Sequence, residues 1–216
     1  MGKLFTSILL LLLIITKASG QRDNLNGKIL ELINNETDQY RNIYMDLHKN
    51  PELSLMEFNT SGKMADELRS IGFDVTSGVG GTGVVGVFRN GNGKVIMLRT
   101  DMDALPVLEK TALPYASTEI KKDASGMDSP VMHACGHDLH MSVWLGTLKT
   151  LIALKNDWKG TIVAVAQPAE EISGGSIEMI RDSLFQKFPK PDLALCYHVS
   201  AELPAGTIGY LPGPIF

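Results

Sequence analysis

From Leu25 to His48 apolar side chains recur at Leu25, Ile29, Leu32, Ile33, Tyr40, Ile43, Tyr44 and Leu47, which is the spacing of one face of a helix with about 3.6 residues per turn. This predicts one long amphipathic helix, stopped at Asn50-Pro51 because the residue before a proline is steered away from helical backbone. Ser54-Leu-Met-Glu57 has the spacing of a capping box, and Phe58, Met64, Leu68 and Ile71 extend a second helical face to Gly72, a helix-stop residue. Strand-like runs follow at Gly83–Phe88 and Val95–Arg99, joined by Asn90-Gly91-Asn92-Gly93, whose Asn-Gly steps suit a tight hairpin. Apolar runs at Thr161–Ala166 and Leu193–His198 alternate with helical patterns near His140–Leu154 and Ser176–Phe185. Such alternation predicts a layered α/β domain with a largely parallel sheet, in which ligands gather at the carboxyl ends of the strands.

The first twenty residues stand apart. Lys3 precedes eight apolar residues, Ile8 to Ile15, and Ala18-Ser19-Gly20 places small side chains before Gln21, the pattern of a cleaved secretory signal. The apolar run is shorter than the roughly 20 residues that span a bilayer. The expected division is therefore a leader at 1–20 and a mature chain at 21–216, exported to a periplasm or secreted, with no stable membrane anchor after cleavage. Composition adds exclusions. A formal charge of −4 with no extended basic run leaves no footprint for nucleic acid. A hydrophobic fraction of 44% excludes a disordered chain. In an oxidising compartment the two cysteines, Cys135 and Cys196, are by default disulfide candidates.

Chemistry collects where the strands end. Val95–Arg99 runs into Thr100-Asp101-Met102-Asp103, Thr161–Ala166 into Gln167-Pro168-Ala169-Glu170-Glu171, and Leu193–Tyr197 into His198. Between the first two lies His133-Ala-Cys135-Gly-His137-Asp138-Leu-His140, which opens a helix. Any one of these residues is more simply a loop acid or a packed imidazole. Together, thiol, imidazole and carboxylate at one sheet edge form the donor set of zinc or a similar transition ion. Of the adjacent Glu170 and Glu171, one can bind metal while the other carries a proton.

Five ordered motifs carry a resemblance: His48-Lys-Asn-Pro51-Glu52-Leu53-Ser54, Arg99-Thr-Asp101-Met-Asp103-Ala-Leu-Pro106, the 133–140 segment, Gln167-Pro-Ala-Glu170-Glu171 with Gly174-Gly175, and Gly206-Thr-Ile-Gly209-Tyr with Pro212-Gly213-Pro214. From about Asp46 onward the chain resembles the metal-dependent amidohydrolases that include hippurate hydrolase, N-acyl-amino-acid amidohydrolases and the plant indoleacetyl-amino-acid hydrolases. The resemblance implies a zinc-peptidase-like catalytic domain and two divalent metal ions, zinc first, with manganese, cobalt or nickel also compatible. It implies Cys135 as a bridging thiolate, His137, Glu171 and His198 as further ligands, and Glu170 as general base and acid. Asp101 would orient the ligands from behind, and His140 would stand in the wall of the site. The implied substrate is a small N-acyl amino acid.

The same resemblance implies parts beyond Phe216: an inserted dimerisation domain, a further histidine ligand and, for the full-length form, a homodimer. Residues 21–216 are thus expected to be the N-terminal portion of the catalytic domain. Two other functions fit the same residues, a related dipeptidase or carboxypeptidase and a non-catalytic metal-binding fragment. A Cys135–Cys196 disulfide would remove the bridging thiolate and stands as the alternative to metal ligation.

Overall fold

A computed structural model describes the backbone of residues 2–210 and the side chains of residues 24–210. The expected leader at 1–20 lies outside the residues whose side chains are described. Among the described residues no helix is long and apolar enough to cross a membrane.

The helix predicted over Leu25–His48 is the carboxyl-terminal part of a longer α1 (Gly2–Lys49), and the second is α2 (Phe58–Ser70). Then come β1 (Asp74–Val79), β2 (Gly83–Asn90), β3 (Val95–Asp101), a small hairpin of β4 (Ile120–Lys122) and β5 (Asp128–Pro130), and α3 (His137–Ala153). The chain continues through β6 (Gly160–Gln167), α4 (Gly175–Arg181), α5 (Leu184–Lys187) and β7 (Leu193–Leu195). Five strands form one sheet in the order β1-β2-β6-β3-β7. The expected parallel arrangement holds for β6, β3 and β7, while β1 and β2 extend the sheet antiparallel.

The expected hairpin between β2 and β3 does not form, because β6 lies between them. Asn90 Nδ2 instead donates to the carbonyls of Lys155 (2.6 Å) and Trp158 (2.7 Å). Gly93 passes so close to the start of β6 that a Cβ would stand 2.8 Å from the Lys159 carbonyl oxygen. The Asn-Gly segment therefore steps over an incoming strand. The valines of β2 carry the physical reason. Val84 faces a core with Met64, Leu68, Met141 and Trp144, while Val85 and Val87 face a second core with Val163, Val165 and Met179. A strand buried on both faces belongs inside a sheet, with partners on both sides. The period-2 split of β2 and β6 residues between the cores defines three layers, with α1, α2 and α3 on one face and α4 and α5 on the other.

The capping box is also replaced. Ser54 Oγ donates to Asp103 Oδ2 (2.6 Å) and Glu57 turns inward. The first turn of α2 is capped by Glu52, whose carboxylate accepts the amides of Asn59 (3.2 Å) and Thr60 (2.8 Å) and the Asn59 side chain (2.7 Å). An anion at a helix N-terminus satisfies orphan amides and opposes the helix dipole. Glu52→Ala is expected to lower stability by about 1–3 kcal/mol in urea unfolding; an unchanged midpoint would show that α2 does not depend on this cap.

Candidate metal centre

Parallel register brings the strand exits together. Asp101 at the end of β3 is paired with Gln167 at the end of β6, and β7 runs parallel on the other side of β3. Consequently Asp101–Asp103, Ala169–Glu171 and Tyr197–Val199 leave the sheet along one edge. The turn before α3 completes the set. Gly136 has φ = 86°, a left-handed backbone that favours glycine, and a Cβ there would stand 2.7 Å from Val199 Cγ2. That contact admits the His198 segment beside Cys135 and His137.

His137 is the centre of the arrangement. Ligand atoms of Cys135, His137 and His198 lie within 4.8 Å of one another, as do those of His137, Glu170 and Glu171 and those of Asp101, His137 and His140. All seven residues selected from sequence therefore converge. His137 is completely buried, yet among the described residues neither ring nitrogen makes a hydrogen bond, and Glu171 Oε1 is likewise buried without a partner. From His137 Nε2 it is 3.7 Å to Glu171 Oε1 and 3.8 Å to both Glu170 Oε2 and Asp101 Oδ2. Nδ1 stands 3.4 Å from Asp103 Oδ1 but outside hydrogen-bond alignment. Buried polar atoms left without partners are costly, and imidazole, thiol and carboxylate atoms at this spacing fit a cation.

The other two histidines of the edge are oriented by defined bonds. His140 Nδ1 is 2.7 Å from Asp101 Oδ1, and Nε2 accepts the Val199 amide (3.0 Å). Both bonds require the proton on Nδ1, which leaves His140 no lone pair for an ion. His198 Nδ1 donates to the Val199 carbonyl (2.6 Å), freeing Nε2, which faces Cys135 Sγ at 3.4 Å. Tyr197 adds a hydrogen bond from its hydroxyl to the Leu139 carbonyl (2.9 Å).

Electrostatics divide the acids. Burial acts to raise the pKa of Asp101, but the hydrogen bond from His140 and the charges of Arg99 and His137 outweigh it and hold the carboxyl at about 2. Burial raises Glu171 above the usual carboxylate range. The Cys135 thiol is pushed up to about 12 by burial and by the carboxylates of Glu171, Glu170 and Asp101. Cys196 is an exposed free thiol and Cys135 is also free, so the alternative disulfide is not formed.

The spacing of candidate ligands does not single out Asp103, yet its carboxylate accepts Ser54 Oγ and the amides of Glu170 and Glu171, both at 3.0 Å. Its signal was available, since Asp101 and Asp103 are two apart at a strand end and so share a face. His133 is buried with both nitrogens unbonded among the described residues. Beyond it, His48 bridges Asp138 Oδ2 (2.7 Å) and Glu109 Oε1 (3.0 Å), all three buried, with the rings of Tyr44 and Tyr115 beside the imidazole.

A layered α/β sheet whose carboxyl edge gathers thiol, imidazole and carboxylate donors defines a protein with a candidate metal centre. Residues 97–213 match the model of Peptidase family M20/M25/M40, and the chain belongs to that family. It is 38% identical over 181 residues to an N-acetyldiaminopimelate deacetylase of Oceanobacillus iheyensis, covering 82% of this chain and 45% of that protein. It is 43% identical over 166 residues to a hippurate hydrolase of Campylobacter jejuni, covering 76% and 39%. Among solved structures it resembles the Bacillus subtilis YXEP protein, described as a dinuclear metal binding peptidase of the M20 family, with a TM-score of 0.71, 34% identity and coverage of 82% of this chain and 46% of that one. The chain thus spans less than half the length of these relatives.

The His48 bridge has a pH signature. Burial lowers the imidazole pKa, but the hydrogen bonds and charges of Glu109 and Asp138 win and raise it above 6.5. A raised folded-state pKa stabilises fully below the unfolded value, and the contribution fades as pH rises through the folded value. His48→Gln is therefore expected to cost about 3 kcal/mol below pH 6.5, with the gap to wild type narrowing in urea unfolding as pH rises above 6.5 through the raised folded-state value. A gap that stays constant or widens would contradict this charge assignment.

Proposed function

We propose that this chain forms part of the site of a hydrolase that cleaves the amide bond of N-acyl amino acids with the help of two divalent metal ions. The observation that carries the reading is the buried, unpartnered pair of His137 nitrogens beside the unpartnered Glu171 Oε1, ringed by thiol and carboxylate. Cys135, His137, Glu171 and His198 are the residues that would hold the ions. The donor set suits zinc, and it also accommodates manganese, cobalt or nickel. When bound, the ions supply Lewis acidity that polarises an amide carbonyl and lowers the pKa of water. The substrate class is supported by the relatives named N-acetyldiaminopimelate deacetylase and hippurate hydrolase.

Within that chemistry the chain's own groups divide the work. Glu170 is the more open of the adjacent acids, with 37% of its side chain exposed against 16% for Glu171. In this reading it takes a proton from attacking water and returns it to the departing amine, leaving a carboxylic acid and a free amino acid. Asp101 holds His140, and His140 holds the backbone beside His198. Export, proposed with this activity, rests on the leader pattern of residues 1–20.

In the metal-loaded protein, Glu170→Gln is expected to retain its metal and lose about 10²–10⁴-fold in turnover of hippurate or an N-acetyl amino acid. Metal analysis beside a hydrolysis assay checks both halves, and undiminished turnover would sink the assignment of Glu170.

A further inference from the structure

Glu57, the residue before α2, has no exposed surface. Its Oε1 accepts the amides of Leu55 (3.1 Å) and Ala169 (2.8 Å), and its Oε2 accepts the Thr82 hydroxyl (2.6 Å). Among the described residues no cation forms an ion pair with it. A buried, uncompensated carboxylate is expensive, and this one holds together the approach to α2, the turn between β1 and β2, and the loop after β6.

The Ala169 bond is the one with chemical consequences. Ala169 is fully buried and has φ = 49°, a left-handed backbone that is uncommon for a residue with a Cβ and persists where surrounding contacts enforce it. Its carbonyl accepts the amides of Gly174 (3.2 Å) and Gly175 (3.1 Å), closing the loop on itself. Gly175 is obligatory there, since a Cβ would fall 1.6 Å from the Pro168 carbonyl oxygen. Three successive amides, those of Ala169, Glu170 and Glu171, are taken up by two buried carboxylates, Glu57 and Asp103. The loop hangs from these anions, and the Ala169 conformation sets the direction in which the next side chains leave it.

We propose that Glu57 is a positioning residue for Glu170, acting by fixing the left-handed turn at Ala169. This inference rests on the reading of Glu170 as the general base. Reach and acceptor capacity should matter more than charge. Glu57→Gln keeps an oxygen for the Leu55 and Ala169 amides and can donate to Thr82, whereas Glu57→Asp keeps the charge but withdraws the carboxylate by one methylene.

The test compares these two variants with Glu170→Gln in the metal-loaded protein, reading kcat and KM on hippurate, metal content, thermal midpoint, and hydrogen exchange in a peptide spanning residues 166–175. The Gln variant is expected to stay within about threefold of wild-type kcat. The Asp variant is expected to lose about tenfold to 10²-fold in kcat at nearly unchanged KM and metal content, with faster exchange in that peptide. Wild-type kcat in the Asp variant, or an equal fall in both, overturns the inference while Glu170 stands, provided Glu170→Gln is inactive. A lowered thermal midpoint with unchanged kcat per folded molecule assigns Glu57 to stability alone and likewise overturns it. Undiminished turnover in Glu170→Gln overturns the underlying reading and this inference with it.

Discussion

The carboxylate of Asp103 is where separate stretches of chain become one site. Ser54 reaches it from the approach to α2, the amides of Glu170 and Glu171 from the exit of β6, and His137 faces it from the start of α3. Burial acts to raise its pKa, but His137, Ser54 and the two amides hold it below the usual carboxylate range. It therefore stays an anion, and the donors it holds are part-buried. Losing one such bond leaves a buried polar group unmet at about 1–3 kcal/mol. The parallel pairing of β3 with β6 makes the meeting possible: with Asp101 level with Gln167, the residue two beyond the first strand falls within reach of the loop beyond the second.

That assembly concentrates negative charge. Asp101, Asp103, Glu170 and Glu171 crowd one edge, with Arg99 paired to Asp101 (2.7 Å) and drawn toward Gln167. The same carboxylates add to burial, the larger cause, in raising the pKa of the Cys135 thiol. In the proposed metal-loaded form, ligation by Cys135 would be coupled to loss of the thiol proton.

Much of this was legible in the sequence because it is local. The long helix follows from a single apolar stripe, and the candidate ligands stand at strand ends where an α/β sheet exposes them. What escaped is non-local. The Asn-Gly segment carried every mark of a hairpin, and only the insertion of β6, some seventy residues later, turns it into a step between strands; the continuous valines of β2 were the available hint. Ser54 and Glu57 have capping-box spacing, but their side chains are claimed by Asp103 and by Ala169 and Thr82, partners distant in sequence. A spacing rule sees the chain along its length, whereas a buried carboxylate answers to whichever amides the fold brings to it.

The pair His137 and His140 shows why residue type alone does not assign a ligand. Both are buried, one helical turn apart, and each belongs to a group of possible metal donors with Asp101. Their bonding separates them. His140 is committed through both nitrogens, giving its proton to Asp101 and accepting the Val199 amide, so its function is to fix the strand end that carries His198. His198 in turn gives its Nδ1 proton to a carbonyl and presents Nε2 toward Cys135. Orientation thus passes from Asp101 through His140 to His198, the outer-partner pattern that fixes imidazole tautomers in metal sites, while His137 faces Asp103 with neither ring nitrogen hydrogen-bonded among the described residues.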